Sequence, residues 1–94
     1  MEVRRHIEVS GIVQGVGFRP YVYRLATRRH LTGTIRNTAA GVTIEVQGPS
    51  EAVQDFVDHL PAEAPALARI TSLSVHEAAC NGDLDFRIVH SQAG

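Results

Sequence analysis

Two glycines separated by one valine, then a phenylalanine, an arginine and a proline, stand in the run Val13-Gln14-Gly15-Val16-Gly17-Phe18-Arg19-Pro20. Glycine reaches backbone angles that let successive N–H groups point into one concavity, and such a nest binds anions. A helix that starts directly after it adds the positive end of its dipole. Arg19 stands where loop and helix would meet, and its planar, permanently charged guanidinium suits phosphate oxygens better than a carboxylate pair. The candidate phosphate-binding residues are Gln14, Gly15, Val16, Gly17, Phe18 and Arg19, with Phe18 expected to anchor the loop in the core. The same glycines also suit a plain tight connection. A further candidate is Asn37, whose carboxamide both donates and accepts hydrogen bonds and so suits the orientation of a water; ahead of Thr38 it equally suits a turn.

The elements that must position these residues can be read from periodicity. Ile7, Val9, Gly11 and Val13 alternate with His6, Glu8, Ser10 and Ile12, the two-residue period of a strand with one buried face. A helix is predicted over residues 20–30, with Pro20 at its first position and Val22, Leu25, Ala26 and Arg29 along one stripe, ended by Thr32-Gly33. A second strand over residues 34–37 turns through Thr38-Ala39-Ala40-Gly41 into a third, where Val42, Ile44 and Val46 face one way and Thr43, Glu45 and Gln47 the other. Ser50 is expected to cap a second helix carrying Val53, Phe56, Val57 and Leu60, before a polar loop bracketed by Pro61 and Pro65. Strand character returns over residues 70–76, Asn81-Gly82-Asp83 turns, and residues 86–89 form a last short strand.

This order, β-α-β-β-α-β with a short extra C-terminal strand, predicts an α+β fold of the ferredoxin-like kind: an antiparallel sheet, both helices on one face, the other face exposed. Its first and second strands run parallel with the third between them. The loop after Val13 and the end of the second strand at Asn37 then emerge on the same edge, roughly 10 Å apart, two strand spacings.

Composition narrows the chemistry. The 94 residues carry a formal net charge of −1, which leaves no basic footprint for nucleic acid or an acidic membrane. All nine basic residues are arginine, so lysine Schiff-base chemistry and a Walker-type lysine are excluded. The central strand offers no aromatic platform for RNA bases, and the first loop has no cysteine pair for a metal. His6, His30, His59, His76 and His90 are dispersed without ligand spacing. Glu51, Asp55 and Asp58 share one helix face, read as solvated rather than as a metal site. Cys80, beside a turn, is a bystander thiol, and Tyr21 and Tyr23 are read as core or rim packing, with substrate contact the alternative. No apolar run suits a membrane span, and Met1 to Glu8 lacks a signal peptide's apolar stretch, so a cytoplasmic location is expected.

The segment Val13-Gln14-Gly15-Val16-Gly17-Phe18-Arg19 resembles the phosphate-binding motif of the acylphosphatases, and residues 33–42 with Glu45-Val46-Gln47-Gly48 are similar to their second motif, in the same order and separation. The resemblance covers nearly the whole chain. It implies that Arg19 binds the phosphoryl group and Asn37 positions the attacking water, with no cofactor in this domain. Residues 19–26 and 65–70 resemble more closely the N-terminal domains of the hydrogenase-maturation carbamoyltransferases, the HypF family, since free-standing acylphosphatases commonly carry other residues after the motif arginine. That resemblance implies an acylphosphatase-like domain over residues 1–90 and a polar tail or linker start at 91–94, cut from a protein with zinc-finger, nucleotide-binding and carbamoyl-transfer domains. It implies carbamoyl phosphate as substrate, carbamate and inorganic phosphate as products, and as partners the remaining domains of the parent protein and the maturation protein HypE. A free-standing acylphosphatase of general specificity and a non-catalytic phosphate-binding docking domain are the alternatives.

Overall fold

The computed structural model describes residues 1–89. The expected tail at 91–94 and His90 lie outside the described residues. In chain order the elements are β1 (Glu2–Ile12), α1 (Phe18–Thr27), β2 (Thr32–Asn37), β3 (Gly41–Pro49), α2 (Ser50–Ala62), β4 (Arg69–Ala78) and β5 (Phe86–Val89). The sheet order is β4-β1-β3-β2-β5. β3 is antiparallel to both β1 and β2, so these two run parallel on either side of it, as the expected topology requires. β4 is also antiparallel to β1, whereas β5 lies parallel to β2 and makes the five-stranded sheet mixed.

The alternation in β1 and β3 decides the core. In register, Ile7 sits across from Ile44, which sits across from Ile35, and Val9 across from Val42. All five are at most 1% exposed and form one cluster with Val22 and Leu25 of α1 and Val53, Phe56 and Leu60 of α2. Both helices therefore cover the same sheet face, held there by continuous apolar burial.

The opposite face is less open than the sequence suggests. β4 and β5 occupy opposite edges of the sheet, so residues 79–85 must cross that face to connect them. Arg4, on the open face of β1, donates to Glu45 (2.8 Å), Gln47, Asn81 and Asp83 (3.1 Å each) and is only 6% exposed. Gln47 exchanges 2.8 Å hydrogen bonds with the backbone of Asn81. This polar clasp buries Gln47 and lies at the end of β1 away from the glycine loop.

Several boundaries differ from expectation. α1 starts at Phe18, so Pro20 takes the third helical position, where its missing N–H still has no intrahelical acceptor to lose. It ends at Thr27 rather than residue 30: His30 takes φ 57° and the Leu31 N–H returns to the Ala26 carbonyl (3.0 Å), a left-handed termination that drives Leu31 inward. Thr32 and Gly33 consequently belong to β2. Ser50 is not a cap; the cap position is Pro49, and the Ser50 N–H donates to the Met1 carbonyl at 2.8 Å. α2 continues through Pro61 to Ala62, because a proline so near the C-terminus removes a single hydrogen bond in the last turn.

Candidate active site

The loop between β1 and α1 has the backbone its glycines permit. Gly15 and Gly17 lie at φ 75° and 80°. A Cβ added at either meets nothing within 4 Å, so the requirement is the dihedral itself and not space in the protein. Between and after them, Val16 packs against the core and Phe18 is fully inside it, with its ring centroid 5.6 Å from that of Tyr21. Alternate residues are thus pinned while Gly15 and Gly17 face outward. Gly17 is the N-cap of α1 and accepts the Tyr21 N–H at 3.2 Å. No side chain caps this end, and its first turn has no acidic residue. Among the described residues, therefore, no protein anion satisfies the N–H groups of Phe18 and Arg19 or the positive end of the helix dipole. The Arg19 side chain is half-buried and makes no hydrogen bond or ion pair among the described residues.

Asn37 ends β2, paired across from Val42, half-buried and with its carboxamide oxygen inside the protein. Its neighbours bring it toward the loop. The Gln14 side-chain amide donates to the carbonyls of Thr38 (2.6 Å) and Gly41 (2.8 Å), and the Gly11 N–H donates to Ala40 (3.2 Å). A cavity of about 380 Å³ lies in this seam, lined by residues 11–14 and 38–41. Arg19 and Asn37 lie outside its lining, one on each flanking segment. The structure thus places the glycine loop and the β2–β3 turn together, with β3 between their strands, as the topology predicts. The side-chain reach of Gln14 to the turn was not legible in the sequence, where a glutamine in a loop carries no partner signal.

The remaining candidates have structural employment. The Tyr21 hydroxyl is shared between the carbonyls of Leu60 (2.7 Å) and His59 (3.0 Å) at the end of α2. Burial, and then the Glu63 charge, push its pKa up to about 12 against the opposing pull of Arg29, so it stays a neutral donor. Tyr23 lies edge-on to Phe86. Asp55 of α2 joins Arg29, two residues beyond the end of α1, at 2.7 Å, while Glu51 and Asp58 are exposed. Cys80 is exposed, its sulfur 3.8 Å from the Glu2 carbonyl. His6 bonds Glu45 on the open sheet face; that hydrogen bond, opposed by partial burial and helped by Glu8, raises its pKa. Burial alone would raise the Glu45 carboxyl, but hydrogen bonds from His6 and Arg4 outweigh it and hold the group below its usual range. Among the described residues no helix is long and apolar enough to cross a membrane.

The acylphosphatase family model matches residues 5–88. The chain is 47% identical over 90 residues to the carbamoyltransferase HypF2 of Cupriavidus necator, covering 95% of this chain and 11% of that protein, and so spans about a tenth of its length. It is 44% identical over 82 residues to an acylphosphatase of Alcanivorax borkumensis, covering 86% of each. A crystal structure of full-length HypF in a phosphate- and nucleotide-bound form superposes with a TM-score of 0.92 at 36% identity, over 95% of this chain and 12% of that one. With residues 5–88 matched by the family model and the fold shared with a solved relative, the chain belongs to the acylphosphatase family.

Proposed function

We propose that this domain hydrolyses acyl phosphates by direct attack of water on phosphorus, with carbamoyl phosphate as its substrate in a HypF-type carbamoyltransferase. The observation that carries this reading is the uncapped, acid-free N-terminus of α1, preceded by two left-handed glycines and accompanied by the uncommitted Arg19. Backbone N–H groups of the loop hold the phosphoryl oxygens and Arg19 neutralises them. Asn37 orients a water for in-line attack. The new bond joins the water oxygen to phosphorus, the bond from phosphorus to the acyl oxygen breaks, and its electron pair leaves with the carboxylate or carbamate. The water protons pass to phosphate and solvent. So good a leaving group needs neither a general acid nor a metal, and no covalent intermediate is required. Carbamate then becomes available to the remaining domains of the longer protein. The match to a free-standing acylphosphatase across 86% of its length favours, as a second reading, general acyl phosphate specificity.

The test is hydrolysis of carbamoyl phosphate and acetyl phosphate by the chain itself. Arg19→Ala is expected to lose phosphate binding and turnover together. Asn37→Ala keeps phosphate affinity and loses rate by roughly two to four powers of ten. A chelator leaves both unchanged. Turnover by Asn37→Ala at the parental rate removes the water-orienting role, and phosphate binding without any turnover leaves a docking module instead.

A further inference from the structure

We infer that Gln14 is a positioning residue whose side-chain amide ties the glycine loop to the turn that follows Asn37, so that it sets the distance between the anion nest and the water-orienting carboxamide. The inference rests on the reading above and deepens it. Gln14 is the second residue of the loop, and its Nε2 bonds two carbonyls, 24 and 27 positions along the chain, at 2.6 and 2.8 Å. Both of its hydrogens are therefore used. The two acceptors, Thr38 and Gly41, are the residues that close the turn on themselves: the Thr38 N–H donates to the Gly41 carbonyl at 2.9 Å, and the Gly41 N–H to the Thr38 hydroxyl at 3.1 Å.

Asn37 is the last residue of β2, directly ahead of this turn, and pairs with Val42 of β3. β1 and β2 share no ladder, since β3 stands between them. The Gly11–Ala40 bond and the Gln14 amide link the two sides of the seam, and the amide originates in the loop itself. A neutral primary amide on a two-methylene stem suits this place. Glutamate has no hydrogen to donate when ionised, asparagine is one carbon shorter, and a cation would add charge beside the nest.

Because Gln14 reaches Asn37 only through Thr38 and Gly41, its loss should act on rate and not on anion affinity. Gln14→Ala is expected to lower kcat for acyl phosphate hydrolysis roughly 10- to 100-fold, the size of effect that follows a displacement of about 1 Å in a reacting group. Inhibition by inorganic phosphate should change by less than about threefold, and kcat for Gln14→Ala/Asn37→Ala should match Asn37→Ala within about twofold, since the tie has nothing left to position. A parallel loss of phosphate affinity would place Gln14 in the cradle itself, and losses that multiply in the double variant would make it independent of Asn37; either overturns the inference. Gln14→Asn, which keeps the amide and lacks the reach, gives the same cycle if the alanine variant does not fold. Hydrogen exchange separates this inference from the catalytic reading: loss of the tie should speed exchange at the Gly41 N–H about tenfold or more while leaving Phe56 and Leu60 of α2 unchanged, whether or not the wild-type chain turns over. An unaltered Gly41 rate overturns the inference.

Discussion

Replacing Gly17 by alanine isolates the backbone contribution to the anion site. Gly17 sits at φ 80° and ψ 15°, and an added Cβ meets no protein atom within 4 Å, so no clash contributes. What remains is the preference of an L-residue against the left-handed region, about 1–2 kcal/mol. Alanine also restricts the unfolded chain, which returns about 0.4–1 kcal/mol. The net effect is then about 1 kcal/mol, and it can appear in two places. If the free loop keeps its shape, the loss falls on stability, a drop of about 4–8 °C in Tm for a domain of this size. If the loop relaxes, phosphate must restore the shape on binding, so affinity carries the full cost of about 1–2 kcal/mol, a loss of about five- to thirtyfold, while Tm does not fall. Thermal unfolding with and without inorganic phosphate, together with calorimetric titration, measures both losses, whose sum is the predicted quantity. Gly17→Asn should lose less than Gly17→Ala, because asparagine tolerates the left-handed region better. Tm and phosphate affinity both unchanged in Gly17→Ala, or asparagine and alanine equally harmful, would refute the dihedral account of this loop.

Two further outcomes follow from contacts away from the loop. Tyr21→Phe removes a buried hydroxyl from the carbonyls of His59 and Leu60 and should destabilise the chain by about 1–2 kcal/mol in urea unfolding, with acyl phosphate turnover preserved. The His6–Glu45 pair should shape stability against pH. His6, raised in the folded state, contributes fully below its ordinary value of 6.5 and loses that contribution as pH rises through its folded pKa. Glu45, lowered, contributes fully above its ordinary 4.5 and loses that as pH falls through its folded pKa. Between about pH 4.5 and 6.5 both contributions are present, and His6→Gln should flatten the alkaline side of that maximum in denaturant unfolding. Because the two side chains are 29% and 27% exposed, added salt should shrink the difference; an unchanged alkaline slope in His6→Gln contradicts the assignment.

Local chemistry made much of this protein legible in its residues alone. The alternation through Ile7 and Val9 and through Val42, Ile44 and Val46 named the buried sheet face. Val53, Phe56 and Leu60 named the buried stripe of α2. The glycine spacing and Arg19 marked the anion loop, because dihedral freedom and charge are properties of a residue and its neighbours. Boundaries were less legible: Pro20 signals a helix start but is equally harmless two positions later, and His30 carries none of the cues that mark glycine as a helix terminator.

Contacts between distant segments belong to the fold. Gln14 meets Thr38 and Gly41 because β3 inserts between β1 and β2 and brings their ends to one edge of the sheet. Arg4 is buried because β4 and β5 occupy opposite edges, so that residues 79–85 must cross the face on which it lies. The sequence by itself determined which residues are apolar, left-handed or charged, and hence the elements and the kind of ligand. The tertiary structure alone decided which polar side chains find each other, because a hydrogen bond depends on distances of a few tenths of an ångström that strand order and crossing direction set, and that no local pattern encodes.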